Sequence, residues 1–527
     1  MPLAEGAESR LSIVRFAREA ESSPANRGRS RAYSCCSGMQ RGTGGCERGI
    51  NHPTGPADND YSRRPGRGFL RPARRDRLES ALVRGGNTHR NRVVVTGLGA
   101  ICCLGHSAEE TWRNLLAGRS GIRKIASPDC QGFEITIAGE VMGFDPLARL
   151  GPDWAYVGDR FAQFGLAASL EAIENAGLDV KRGDLSEAGV VLANAHNNGG
   201  RDAWSGHALF TFAQGPYDAD RFLDLFHTVL DGYNTRYAPY PVEQDIFYRQ
   251  SSDFPTHLVA RYLQTSGPLF TVSSACVSGA KSVERGVRWL RRGQCEVAIC
   301  GGAESVVDPW GIWFLNAMKA LTNFSQDPEH ASRPFDRDRT GFVLSEGAGA
   351  LVLETLEHAQ RRGAAILAEV VGVGGSANGN SLYAPEPVGD GVAGAMKAAL
   401  HDARLDPEKI DAVFAHATAT GIGDPAEADG IRLTLGSHAP EVSITATKSM
   451  IGHAIAAAGA LGAIQCVQAI RDGLIPPIKN LDVVDDGCIG LHYVRGQAEE
   501  RRVDYVLNNA FGFGGANGSN IFKRFTG

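Results

Sequence analysis

From residue 91 onward, short runs of Val, Ile, Leu and Ala alternate with longer segments in which apolar residues return every third or fourth position. The short runs Arg92–Thr96, Gly189–Ala193, Glu296–Cys300 and Gly349–Glu354 read as strands, and Phe161–Ala176, Gly391–Ala403 and Ala454–Arg471 read as amphipathic helices. Near-continuous apolar strands alternating with helices predict an α/β architecture whose sheets are largely buried. Val297 to Ala303 and Tyr505 to Gly512 echo one another, each a buried strand entering a turn of small residues. The stretch His453 to Ile470 is long enough to be weighed as a membrane span. It is mostly Ala and Gly, which contribute little transfer energy, and Lys448, Gln465 and Arg471 flank or interrupt it, so a closely packed internal helix is expected and no membrane span.

Composition separates residues 1–90 from the rest. They are rich in Arg, Gly, Ser and Pro, contain no lysine and offer few apolar runs, which predicts a disordered extension. Glu5, Glu8, Glu19 and Glu21 count against a transit peptide, and no apolar core of a secretion signal is visible. The formal charge of −5 over 527 residues gives no support for nucleic-acid binding. The 11 cysteines show no repeated Cys-x-x-Cys spacing, so no metal site, disulfide framework or bound cofactor is indicated, and a reducing, cytoplasmic setting fits.

One cysteine stands out by position. Cys276 lies within Thr271 to Ala280, where a β-rich run from Leu269 to Ser273 gives way to a helical pattern of Val283, Val287 and Leu290 that ends near Arg291, Arg292 and Gly293. A helix starting beside the sulfur would aim unpaired N–H groups at it and favour thiolate; the competing reading is a buried structural cysteine. His416 follows a β-like run beginning at Asp411, and His453 precedes the Ala/Gly-rich helix. One cysteine and two histidines at element ends form the pattern of a nucleophile with acid/base helpers.

The segments around Cys276, His416 and His453, with Asn508 to Asn517, resemble the signature regions of the β-ketoacyl-[acyl-carrier-protein] synthases, closest to the type II condensing enzymes. Arg92 to Gly99, Gly301 to Glu304, Arg333 to Asp336, Gly341 to Leu344, Glu346 to Gly349 and Pro476 to Asp482 match further family segments in order. The resemblance implies a thiolase-like fold: two duplicated βα halves, here 91–345 and 346–527, in a five-layer αβαβα arrangement. It implies fatty-acid elongation by decarboxylative Claisen condensation of an acyl thioester with malonyl-acyl-carrier protein. A ketosynthase of a polyketide or specialised lipid pathway is the alternative, and a noncatalytic partner subunit the weaker one. A thiolase would need a second catalytic cysteine near the C-terminus, and Gly512–Asn517 has none.

Carried over residue by residue, the resemblance makes Cys276 the nucleophile and His416 and His453 the enolate-stabilising catalysts. Lys448 and Glu427 match a supporting charged pair, Phe513 an oxyanion and gating position, and Thr418 and Thr420 the threonines that bind the pantetheine amides. The implied partner is an acyl-carrier protein, with Lys281, Arg291, Arg292, Arg361 and Arg362 as candidates for a basic landing patch. A homodimer is expected, with a heterodimer open. Ala417 stands where the family carries Gly, which would place a methyl beside the pantetheine path. Val277 replaces a small polar residue, and the aromatic run Phe210 to Gln250 lengthens the chain; these lean toward a specialised member, the run serving as surface elaboration or reshaping the acyl tunnel.

Overall fold

The computed structural model describes residues 90–127, 130, 132–155, 157–195, 251–379 and 389–527. The extension up to residue 89 and the aromatic run Phe210 to Gln250 lie outside the described residues.

Eleven described strands make the principal sheet: β1 (Val93–Cys102), β2 (Gly189–Ala193), β3 (Leu269–Val272), β4 (Val297–Ser305), β5 (Glu346–Thr355), β6 (Ala368–Ala377), β7 (Ala412–Phe414), β8 (Ser443–Thr445), β9 (His492–Tyr493), β10 (Tyr505–Phe511) and β11 (Ala516–Lys523). Their order is β9-β8-β7-β10-β11-β6-β1-β5-β4-β2-β3. The first five strands run in the relative order 3-2-4-5-1, and β6, β7, β8, β10 and β11 repeat that order. In each set the first-listed strands pair in parallel and the last antiparallel. The echo in the sequence falls on β4 and β10, the fourth strand of each set. The sets meet where β1 pairs β6 at only two positions, Val94 with Glu369 and Val95 with Ala368.

Side-chain alternation on these strands decides the layering. Val297 and Ile299 join a cluster with Phe164 and Ala168 of α1 (Arg160–Asn175) and Leu258 of α2 (Phe254–Leu263). Ala298 and Cys300, one residue out of phase, join the opposite cluster with Val283 and Val287 of α3 (Ser278–Arg291). In the second set, Val413 and Ile444 pack with Met396 of α4 (Asp390–Ala403) and Ile431 of α5 (Gly423–Leu435). Ala412 and Phe414 turn inward to Ala463 and Val467 of α6 (Ile455–Asp472). Five αβαβα layers result, with α3 and α6 in the middle.

The Ala/Gly composition of α6 is a requirement of that middle layer. A Cβ on Gly279 of α3 would lie 2.6 Å from Ala460 N and 2.7 Å from Ala456 O, and one on Gly459 would lie 2.5 Å from Ala280 N. The two backbones touch because neither carries a side chain at the crossing. Almost every residue of α6 is buried, and no described helix is long and apolar enough to cross a membrane. This crossing positions the chemistry, since Cys276 immediately precedes α3 and His453 immediately precedes α6.

Gly279→Ala is expected to destabilise the protein by about 1–3 kcal/mol, the usual range for overpacking a close contact. Gly421→Ala, where a Cβ would meet nothing within 4 Å, is the control. Urea midpoints measure both, and equal midpoints for Gly279→Ala and wild type would refute the close crossing.

Candidate active site

Between β3 and α3 the chain turns sharply. Ala275 takes a left-handed conformation with φ of 47°, a strain on the order of 1–3 kcal/mol for a residue with a Cβ. Ser278 Oγ holds the turn by accepting from Ser274 N at 2.7 Å and donating to Ala275 O at 2.6 Å. Cys276 is thereby projected into a cavity that it shares with His416, His453, Thr418, Thr420 and Phe513. The remaining wall includes Phe342, Phe511, Asn378 and Asn517.

Both histidines are fixed by their backbones and leave their rings open. His453 N donates to Val343 O at 2.8 Å, and its carbonyl accepts from Ser345 N at 3.1 Å. Neither of its ring nitrogens has a hydrogen-bond partner, although the residue is 1% exposed. Phe342 packs edge-on against this ring at 5.1 Å between centroids. His416 N donates to Glu427 Oε1 at 2.8 Å, while ring Nδ1 is buried without a partner. The two imidazoles meet at 5.4 Å and 85°. Buried polar atoms without partners are rare, and here they face a cavity, the arrangement expected where a ligand supplies the missing bonds.

Charge organises the rest. Burial, followed by the positive charge of Lys448, holds both imidazoles well below the ordinary histidine range, so they are neutral near pH 7. Burial also pulls Lys448 down to about 8, against the opposing field of Glu427. Glu427, raised by its own burial, accepts from His416 N, from Ala417 N at 2.6 Å and from Asn509 Nδ2 at 3.1 Å. The expected Lys448–Glu427 pair is therefore coupled through space, and the carboxylate spends its hydrogen bonds on the backbone N–H groups of His416 and Ala417 and on Asn509.

The sulfur does not rest as the thiolate that a helix start would favour. Burial pushes the Cys276 thiol up to about 12, outweighing Lys448 and the backbone N–H groups of Phe513 and of Cys276 itself, which pull the other way. Those two N–H groups converge on the sulfur, and a Cβ on Gly512 would lie 3.0 Å from Ser274 O. Glycine at 512 thus lets the Phe513 segment approach.

Thr418 Oγ1 and Thr420 Oγ1 lie 3.3 Å apart on the cavity wall, and Thr420 Oγ1 also accepts from Gly423 N at 3.2 Å. Arg339 anchors their loop by donating to Thr420 O and Gly421 O, both at 2.8 Å. Ala417 departs from expectation: its methyl packs into the core with Met396 and Ile431, away from the cavity lining. Val277 is buried with Ala280 and Ala510. Acids of this chain engage four of the five candidates for a basic landing patch. Lys281 pairs with Glu284, Arg291 with Asp402, Arg361 with Glu296 and Arg362 with the buried Glu354. Sequence reasoning gave no role to Asn378, Phe342 or Arg339; Phe342 lies within a quoted motif and Arg339 between two of them, whereas Asn378 carries no local signal.

A thiol raised to about 12 gains thiolate as pH rises, and a lysine lowered to about 8 loses its helpful charge over the same span. Alkylation of Cys276 by iodoacetamide is expected to accelerate from about pH 7 to about pH 10 without a plateau, with a shallower slope above the lysine transition. A plateau already reached near neutrality would contradict this assignment.

The comparisons with known proteins agree with this geometry. Residues 90–359 match the model for the β-ketoacyl synthase N-terminal domain, and residues 367–482 match that for the C-terminal domain. The 3-oxoacyl-[acyl-carrier-protein] synthase 2 of Vibrio cholerae is 37% identical over 438 residues, covering 82% of this chain and 99% of the relative. Among solved structures, the ishigamide ketosynthase/chain length factor superposes with a TM-score of 0.70 at 34% identity, over 83% of this chain and 100% of that one. A ketosynthase solved with its type II PKS acyl-carrier protein and bound to the hexaketide gives the same TM-score at 25% identity and the same coverage. With both halves of the family's sequence pattern present in order and its fold reproduced, the chain belongs to the β-ketoacyl synthase family and is an acyltransferase of the condensing type.

Proposed function

We propose that this enzyme elongates an acyl chain carried on an acyl-carrier protein, in fatty-acid synthesis, by decarboxylative condensation with malonyl-acyl-carrier protein. The observation that carries the proposal is the cavity joining Cys276 to two neutral imidazoles whose buried ring nitrogens lack partners. Cys276 sulfur attacks the acyl thioester, the carrier thiol leaves, and the acyl group becomes a cysteine thioester. The neutral imidazoles are the bases available in the cavity for the thiol proton. Malonyl thioester then loses carbon dioxide, and N–H groups of His416 and His453 stabilise the enolate oxygen as charge develops there. The enolate carbon attacks the cysteine thioester, and the backbone N–H groups of Cys276 and Phe513 hold the tetrahedral oxyanion. Collapse releases the β-ketoacyl carrier, two carbons longer, and frees the sulfur.

Neutral rings suit this role, since an N–H donor is needed without a tightly held proton to deliver. Burial keeps the rings neutral and the charge of Lys448 adds to it, Glu427 orients His416 through its backbone, and Thr418 and Thr420 offer hydroxyls to the pantetheine amides. The repeated strand order supports an organisation in two thiolase-like halves. Strand β3 lies at the sheet edge with Leu269 and Phe270 exposed, which supports pairing with a second copy into a homodimer. The reducing cytoplasm is the setting in which a free catalytic thiol persists. A second reading, a polyketide ketosynthase, is favoured by the two solved neighbours described above.

Intact-protein mass spectrometry after incubation with a panel of acyl-carrier thioesters tests the proposal. An acyl adduct is expected on wild type and absent from Cys276→Ala, and it should disappear as a product two carbons longer forms when malonyl carrier is added. His453→Ala should load acyl groups yet condense about 10²–10³-fold more slowly, the usual loss of an oxyanion donor. Repeated extension without intervening reduction would favour the polyketide reading, and no adduct with any chain would refute the condensing role.

A further inference from the structure

A second, smaller cavity lies between α6 and β10, lined by Phe414, Thr447, Lys448, Gly462, Gln465 and Asn508 among others. It has room for about one water molecule. Gln465 is 2% exposed, and Thr447 Oγ1 donates to its Oε1 at 2.7 Å. That bond turns the amide nitrogen away from Thr447, and Gln465 Nε2 is buried with no hydrogen-bond partner. Asn508 Nδ2 is committed to Gly459 O at 3.0 Å, which leaves Oδ1 as its free acceptor. A Cβ on Gly462 would lie 2.4 Å from that oxygen, so glycine here keeps the space open. Among the described residues the Lys448 ammonium has charged and titratable neighbours in Glu427, Asp424, Cys276, His416 and His453, yet makes no direct hydrogen bond. A buried ammonium and a buried amide donor on the wall of one small polar cavity both require an acceptor.

We propose that this cavity holds one ordered water linking Gln465 and Asn508 to the Lys448 ammonium, and that Gln465 is thereby a positioning residue for Lys448. The water accepts from a Lys448 N–H and from Gln465 Nε2, and donates one O–H to Asn508 Oδ1. Both donors are satisfied by one molecule, and the ammonium is solvated on the side away from substrate. This water favours the charged form of the lysine, whose field adds to burial in lowering His416 and His453 and draws down the Cys276 thiol. The inference rests on the reading of Lys448 as electrostatic support for the condensing site.

The test compares Gln465→Met, a near-isosteric apolar replacement, with Gln465→Glu, which adds a carboxylate beside the ammonium. Condensation rates are measured against pH with acyl- and malonyl-carrier protein. Because Lys448 is charged below its transition at about 8 and neutral above it, activity that needs the charge falls on the alkaline side. Gln465→Met is expected to move that limb about one pH unit lower, and Gln465→Glu to move it higher. The inflection in Cys276 alkylation supplies the same readout without substrate, so loss of the condensing reading and loss of this inference are separate results. In a Lys448→Met background, Gln465→Met should leave the alkylation profile unmoved. Identical inflections in wild type and both Gln465 variants would overturn the proposal, as would an equal shift with Lys448 already removed. If Gln465→Met does not fold, Gln465→Leu, which removes the same amide, takes its place: a downward shift supports the proposal and no shift overturns it.

Discussion

The backbone contact between α3 and α6 is the constraint on which the other features depend. Gly279 and Gly459 allow two central helices to touch at distances that any side chain would forbid. Because one helix begins just after Cys276 and the other just after His453, the crossing brings these residues into one cavity from positions far apart in sequence. His416 arrives independently, on the chain that leaves β7. The strained Ala275 and the anchoring bonds of His453 to Val343 and Ser345 then fix the last few ångströms. Strain tolerated at such a position is consistent with surroundings that over-determine the turn.

Within that cavity, electrostatics follow from burial. A thiol, two imidazoles, a lysine and a glutamate are all withdrawn from water, and each is driven toward its neutral form. Lys448, drawn down only to about 8, keeps substantial charge near neutrality, and its field acts on every other member. The site is thus better suited to receive negative charge from a substrate than to hold negative charge of its own. That preference matches a reaction whose difficult species are an enolate and a tetrahedral oxyanion.

Much of this was legible in the residues. Periodicity located Gly189–Ala193 as a strand and placed α1, α4 and α6 to within a residue at each end, because each buries a regular stripe against a sheet. The Ala/Gly run of α6 identified close packing before any contact was known. The motifs named Cys276, His416 and His453, and the fold gathers them. The state of the sulfur was not legible, because a helix N-terminus is visible in sequence whereas the depth of burial that outweighs it is not. Ala417 was misplaced for a related reason: sequence gives adjacency to His416, but the chain beyond β7 turns its methyl into the core cluster of Met396 and Ile431. The acids that pair with the basic residues near helix ends were not legible for Arg291 and Arg361, whose partners Asp402 and Glu296 come from distant segments, whereas Glu354 lies only eight residues before Arg362.

The central claim is that two neutral imidazoles, free to donate, stand beside the nucleophile. Nitrogen-15 NMR of the histidine rings, with His416 and His453 assigned by substitution, tests it most directly over the range of about pH 5.5 to pH 8, where an ordinary histidine titrates. Both rings should keep neutral-tautomer shifts throughout, and adding a nonhydrolysable malonyl-carrier analogue should perturb them without protonating them. An imidazolium signal appearing near the ordinary histidine value for either residue would contradict the account.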